Sequence, residues 1–268
     1  MKKLRYLAPA ILLLFPFVFV AIFAPLLPLP DPQAPDLFHR HKPPSASHWF
    51  GTDADGLDVF SRVLYATRID FGIALGAVLA GILIGAPMGA IAAYRGGVLE
   101  NLIERGNEIM QAFPLILFAM IVSLIVGKGM VTLMVVLAIY NAPFYSKIVR
   151  GIVKPLIDTD FVHAAKCAGQ RPVSIVVKHL LPNAFPGIAS QFPLSAAAAV
   201  RTIATLSFIG LGVSPPTPEW GAMISTGASH IIFGEWWSSI LPGLALLFSV
   251  LGLNNLGERM RNLLERGV

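Results

Sequence analysis

Six stretches of this chain contain no Asp, Glu, Lys or Arg: Tyr6–Pro30, Phe71–Tyr94, Ile109–Gly127, Gly129–Ser146, Leu180–Val200 and Trp236–Gly257. Each is close to or above the roughly 18–20 residues that a helix needs to cross about 30 Å of hydrocarbon. Inside a bilayer every backbone polar group must be satisfied within its own segment, which favours helices. Only 13% of the residues are charged, against about a quarter in a soluble domain. The spacing therefore predicts an all-α, polytopic membrane protein with six transmembrane helices, filling residues 1–268 as one membrane domain. The apolar run behind Lys2, Lys3 and Arg5 extends for about 25 residues, longer than a signal-peptide core, and reads as a retained span. The single cysteine, Cys167, excludes an internal disulfide.

Charge then orients the bundle. With a cytoplasmic N-terminus, both termini and the segments after spans two and four lie inside. Those segments hold 14 of the 20 Lys and Arg residues. The outside segments hold Arg40, Lys42, Arg62, Arg68 and Lys128, and Arg201 falls within span five. The positive-inside bias supports this orientation and accounts for the net charge of +5 without nucleic acid.

The longest stretch of mixed polarity within residues 147–183, expected to be a cytoplasmic loop, is Asp160–Asn183, DFVHAAKCAGQRPVSIVVKHLLPN. Lys166, Arg171, Lys178 and His179 keep it out of lipid. Asp158, Thr159 or Asp160 is placed to cap a first short helix. Gly169 suits the left-handed residue just past its end, and Pro172 the first turn of a second helix. Ala164, Ala165 and Gly169 give the first helix a small-residue face. A bent, soluble-looking pair of helices between spans reads as a docking surface.

Two outer segments are also expected. Residues 31–70 are proline-rich and then alternate charged and apolar residues. Asp53 or Asp55 is placed to begin an amphipathic helix bearing Val59, Phe60, Val63 and Leu64. Residues 210–237 contain Pro215, Pro216 and Pro218, a short apolar helix over Ala222–Ile232, and Trp236 and Trp237 at an aromatic belt. In span two, Gly72, Gly76, Gly81, Gly85 and Gly89 suit close helix packing. Pro186 and Pro193 interrupt span five.

Three motifs carry a family resemblance. His163-Ala164-Ala165, followed after three residues by Gly169 and then by Leu181-Pro182, resembles the EAA loop of ATP-binding-cassette importer permeases. His179 occupies an otherwise apolar slot, giving HLLPN, which is similar to the peptide/nickel branch. FGTDADGLDVFSR at Phe50–Arg62 is similar to that branch's GTDxxGRDVxSR, and SFIGLGVSPPTPEWGAM at Ser207–Met223 to its SFLGLGxxPPxPxWGxM. Together they span nearly the whole chain, which resembles the C-type permease of a dipeptide, oligopeptide or nickel importer. The resemblance implies the type I ABC importer permease fold and a multi-pass place in the inner membrane. It implies a second permease, two cytoplasmic ATP-binding subunits that use ATP and Mg²⁺, and an extracytoplasmic solute-binding protein. It assigns ATPase coupling to Asp160, His163, Ala164, Ala165, Gly169, His179, Leu181 and Pro182. Two positions depart from the pattern: His163 replaces the leading Glu, and Leu57 the Arg of GRD, which leaves Asp58 without that positive neighbour.

Other readings follow from what the residues lack. Arg201 is costly at membrane depth and is expected to line the solute pathway or to pair structurally. His39, His41 and His48 with Asp53, Asp55 and Asp58 fit no compact ligand spacing, so no metal site is expected. No serine nucleophile has a placed His and Asp, and no phosphate loop ends in Lys-Ser/Thr, so neither catalysis nor a bound cofactor is expected of this chain. A secondary transporter or membrane assembly factor without ATPase partners is the alternative; the uncharged stretches hold no coupling carboxylate for it.

Overall fold

The computed structural model describes residues 2–266, with side chains from 6 to 264. The side chains of Lys2, Lys3, Arg5 and Arg266, which enter the charge bias, lie outside that range. The described residues are almost entirely helical, with a single β-bridge between Thr52 and Asp58.

The first helix, α1 (Lys2–Phe23), leads through an irregular segment with a short 3₁₀ turn at Leu37–His39 into α2 (Val59–Arg95). Asp58 caps α2 by accepting from Ser61 N at 2.8 Å. The expected amphipathic outer helix is therefore not separate from span two. Its residues form the first turns of a single 37-residue helix, about 55 Å long, well beyond a bilayer's hydrocarbon thickness. Nothing between Val59 and Phe71 breaks the helical run, so helix-forming residues on the outer surface simply continue into the membrane.

Next come α3 (Gly97–Ala112) and α4 (Leu115–Val126), bent by 89° across Phe113–Pro114. Pro114 removes a backbone donor and disfavours helical geometry at Phe113. The third apolar stretch is thus divided, and α4, with 12 residues, reaches only about 18 Å on its own. The α5 helix (Met130–Leu156) runs on through Lys147, Arg150 and Lys154, so the polar inner loop begins at Ile157 rather than at 147. It contains α6 (Asp160–Cys167) and α7 (Pro172–Ile175), then one π turn over Val176–Leu180 that feeds α8 (Leu181–Phe208). Pro182, lacking an N–H for the Lys178 carbonyl, falls where the helix widens. The last elements are α9 (Trp220–Ala228) and α10 (Trp237–Arg266).

Four of these helices (α1, α2, α5 and α10) are both long and apolar enough to cross a membrane, and a fifth span arises if α3 and α4 are taken together. The 28-residue α8 has the length but carries Arg201 and several small polar residues.

The parallel pair α2 and α5 forms the centre. A Cβ built on Gly85 would come within 2.1 Å of the Ala142 carbonyl oxygen, and one on Gly89 within 2.1 Å of that of Ser146. Backbones this close gain dispersion contacts along their length, the main driving force between helices in lipid. Leu14 of α1 packs on Gly252 of α10, and Leu194 of α8 on Gly257, closing the bundle around this centre.

Candidate functional site

At one end of the bundle the chain makes its bent helical excursion. Thr159 is the backbone N-cap of α6, but its hydroxyl donates to the Leu156 carbonyl at 2.5 Å and caps nothing. Asp160, exposed in the first turn, places a negative charge at the positive end of the helix dipole instead. The other end of α6 closes as the sequence suggests. Gly169 adopts φ +72°, its N–H donates to the Lys166 carbonyl at 3.0 Å, and Gln170 N donates to the Ala165 carbonyl at 3.1 Å. That pair of bonds is a complete Schellman motif. His179 Nε2 and Gln170 Oε1, 3.0 Å apart, tie the far side of the bend, with Pro172 opening α7.

Val162 and Ala165 are buried against the bundle, whereas Phe161, His163, Ala164 and Ala168 face outward. Val173 is 73% exposed, and a Cβ on Gly169 would meet nothing within 4 Å. Leu181 is half-buried and Pro182 exposed where α8 begins. The residues to which the family resemblance assigns coupling thus share one bent unit, with Ala165 facing inward and most of the rest presented on its surface.

Ionic contacts join α3 to the end of α5 from which this unit springs. Glu100 of α3 accepts from Lys154 Nζ at 2.7 Å and from Arg150 Nε at 2.7 Å, and Arg150 also lies 3.7 Å from Glu104. Lys154 and then Arg150 hold the Glu100 carboxyl below its ordinary range. Asn107 donates to Ser146 Oγ at 3.1 Å, and Lys147 to Gln111 Oε1 at 2.6 Å. Lys166 Nζ sits 5.8 Å from the Tyr94 ring centroid, holding α6 against the end of α2. The clamp between α3 and α5 joins residues some 50 positions apart and has no periodic signature in the sequence.

Arg201 is exposed on α8, about 10 Å of helix before its end at Phe208. Its guanidinium has no hydrogen-bond or ion-pair partner among the described residues. One turn away, Ala198 borders a 360 Å³ groove lined also by Gln111, Tyr140, Asn141, Phe144 and Ser195.

The opposite end is built differently. Arg62, buried in the first turn of α2, donates through Nη1 to the carbonyls of Pro32 and Pro216, each at 2.9 Å, and its Nε lies 3.7 Å from Asp53. Asp53 accepts from Asp55 N and Leu57 N, shaping the turn into α2. Leu57 is buried, and Asp58 finds its positive-capable neighbour in His48, 2.9 Å away. That partner replaces the one missing at position 57. Trp220 is fully buried, donates from Nε1 to the Val63 carbonyl at 3.1 Å and meets Phe17 and Phe71 edge-on. Glu219 caps α9 through Gly221 N and Ala222 N, both at 2.8 Å, and burial pushes its carboxyl up from its ordinary range. Asp70, buried on α2, accepts from Trp220 N at 3.2 Å. The motifs at Phe50–Arg62 and Ser207–Met223 are therefore one interlocked structure. It is the framework of this end of the bundle.

Comparison with known proteins agrees with this architecture. Residues 81–268 match the family described as binding-protein-dependent transport system inner membrane component. The dipeptide transport system permease protein of Alkalihalophilus pseudofirmus is 35% identical over 99% of this chain and 87% of its own length. The probable D,D-dipeptide transport system permease protein of Escherichia coli is 36% identical over 91% of this chain and 82% of its own. The glutathione transport system permease protein of Pectobacterium atrosepticum is 35% identical over 95% and 84%. In fold, the chain is similar to a chain of the inward-facing methionine ABC transporter MetNI, with a TM-score of 0.60, 21% identity, and coverage of 75% of this chain and 95% of that one. The protein belongs to the family of binding-protein-dependent transport system inner membrane components: it is an ABC importer permease, and not an enzyme.

Proposed function

We propose that this chain forms half of the translocation pathway of an ATP-driven importer for peptide-like solutes, with the Asp160–Pro182 unit as its ATPase-coupling element. The observation that carries the reading is the bent loop. Its backbone is closed by the Schellman motif and its base is clamped by ions, yet Phe161, Ala164, Ala168, Gly169 and Val173 are presented uncovered. A rigid surface with small and apolar residues at its apex suits insertion into a groove on a partner and transmission of that partner's movement. His163 brings an imidazole to the place where the family motif has a carboxylate.

In this reading a second permease completes a heterodimer. Two cytoplasmic subunits bind ATP and Mg²⁺, and a solute-binding protein delivers cargo from the other side. This chain itself holds no nucleotide. The charge bias supports cytoplasmic termini. The dipeptide, D,D-dipeptide and glutathione transport named for the relatives makes short peptides or peptide conjugates the favoured cargo over nickel or its chelates. Arg201, exposed and without a partner beside the groove at Ala198, is placed to attract a solute carboxylate. Uptake and affinity unchanged in Arg201→Ala would remove it from the pathway.

The main test is purification of the tagged chain in mild detergent, identification of what accompanies it, and ATPase assay with and without Gly169→Glu. Recovery with two ATPase subunits and a second permease, abolished by Gly169→Glu, is the expected result. A folded chain recovered alone, or partners unaffected by that substitution, would overturn the coupling role.

A further inference from the structure

The sequence places His41 and His230 in different outer segments, yet the fold brings them together on one carboxylate. His41 Nδ1 is hydrogen-bonded to Glu235 Oε2, and His230 Nδ1 lies 3.5 Å from the same oxygen. The two imidazole centroids are 5.1 Å apart, and one donor atom from each of the three residues falls within 4.8 Å of the others. Two backbone features hold the group. His41 is the one non-glycine residue with positive φ among those described, at 55°, and its N–H donates to the Asp53 carbonyl at 3.2 Å. The turn from His230 to Glu235 is closed by Glu235 N donating to the His230 carbonyl at 3.3 Å, with Gly234 at φ +88°.

We propose that His41, His230 and Glu235 form a binding site for a divalent transition-metal ion, a two-imidazole, one-carboxylate set that bridges the two outer connections of the permease. Three such ligands with a water in the fourth position suit a borderline cation of the zinc class, whereas calcium and magnesium prefer oxygen-only shells. Tetrahedral zinc with ligand bonds of about 2.1 Å requires donors about 3.4 Å apart, so rotamer adjustment suffices to gather the present cluster. The side chains of His41, Glu235 and His230 are 36%, 18% and 31% exposed, leaving them accessible while holding them in place. His230 also borders a 180 Å³ cleft between the outer connections, lined by Asp53, Asp55 and Arg62, which gives an ion a polar route to the ligands.

A bare hydrogen-bonded imidazole–carboxylate contact needs one histidine. Here a second, from a different part of the chain, is aimed at the same oxygen. When bound, the ion would join residue 41 to residues 230 and 235 and stiffen the outer face. This site belongs to the fold of the outer end and does not depend on which solute is carried.

The test uses the full-length chain, purified in detergent with an affinity tag free of histidine and dialysed against Zn²⁺. The expected result is one Zn²⁺ per chain, an X-ray absorption spectrum with two imidazoles in the ligand shell, and a raised thermal midpoint. Glu235→Gln and His230→Gln should each weaken binding by about tenfold or more and abolish the thermal shift. His39→Gln, at the neighbouring exposed histidine, should leave both unchanged. His230→Gln removes a part-exposed ring and its longer contact to Glu235 but keeps the His41–Glu235 hydrogen bond, so it tests binding in a chain that still folds. Absence of binding, a wild-type shell without imidazole, or equal binding by the Glu235→Gln/His230→Gln double variant would overturn the proposal.

Discussion

The two ends of this bundle solve opposite problems with similar residues. At the end that the charge bias places outside, Arg62, Trp220 and Glu219 are buried; Arg62 and Trp220 reach backbone carbonyls of other segments, and Glu219 caps its own helix. Glycine there is a spatial necessity: a Cβ on Gly56 would lie 1.9 Å from the Asp36 carbonyl oxygen. At the inner end, polar and apolar residues alike are exposed, and Gly169 has open space around the position its Cβ would take. The outer end buries its motif residues against other parts of the chain, while the inner end is ordered but uncovered, as a surface that works by contact with another chain must be. Both ends carry family motifs, so motif strength alone does not separate framework from working surface; burial does.

The sharpest way to break this contrast is Arg62→Ala. It removes two charge-assisted hydrogen bonds to the carbonyls of Pro32 and Pro216 and leaves the buried Pro32 acceptor without its donor. The expected loss is about 4 kcal/mol, seen as a fall in the thermal midpoint of the detergent-solubilised chain. An unchanged midpoint would mean that the outer segments do not lean on this guanidinium.

Paired glycine substitutions sharpen the comparison. Gly56→Ala meets a backbone carbonyl at a left-handed position and should cost about 3 kcal/mol, whereas Gly169→Ala meets only the φ penalty and should cost about 1 kcal/mol. Their functional order should reverse when variants are compared at equal folded amounts. Gly169→Ala should lower transport-coupled ATPase activity, and the surviving fraction of Gly56→Ala should couple normally. Trp220→Phe should cost about 2 kcal/mol, because the bond to the Val63 carbonyl is lost and the smaller ring leaves part of a fully buried site unfilled.

Much of this was legible before the fold was known, for identifiable reasons. Gly81, Gly85 and Gly89 recur every four residues, and helical periodicity alone puts them on one face. Gly169 and Pro172 announce the bend because their backbone preferences are local. What escaped is what local chemistry cannot encode. Arg62 reads in the sequence only as one of the outer-segment charges, because its acceptors are main-chain carbonyls 30 and 154 residues away, which leave no residue-type signal. His39, His41 and His48 have no metal-ligand spacing among themselves, because His41 finds its neighbours 189 and 194 residues later. Asp70 sits one residue before an uncharged stretch and belongs to the same helix, so the boundary drawn from charge fell between it and its continuation. The bend at Pro114 divides a stretch whose lack of charge alone reads as one continuous span.

The smallest expected effect is also the one that separates the ends by sign. Glu219, raised by burial, holds its proton more tightly in the folded chain than the ordinary value of 4.5 allows. Its contribution is fully present below that value and is lost as pH rises through the folded pKa, so this end should weaken above pH 4.5. Glu100 is lowered, chiefly by Lys154 and then by Arg150. Its contribution is present above 4.5 and disappears as pH falls through its folded value, so the inner clamp should weaken on acidification. Thermal midpoints measured from pH 3 to pH 8 should therefore lose part of their acid limb in Glu100→Gln and part of their slope above pH 4.5 in Glu219→Gln. If both variants changed the same limb, the two carboxylates would share one environment, and the division between a buried outer framework and a clamped, exposed inner end would fail at its electrostatic root.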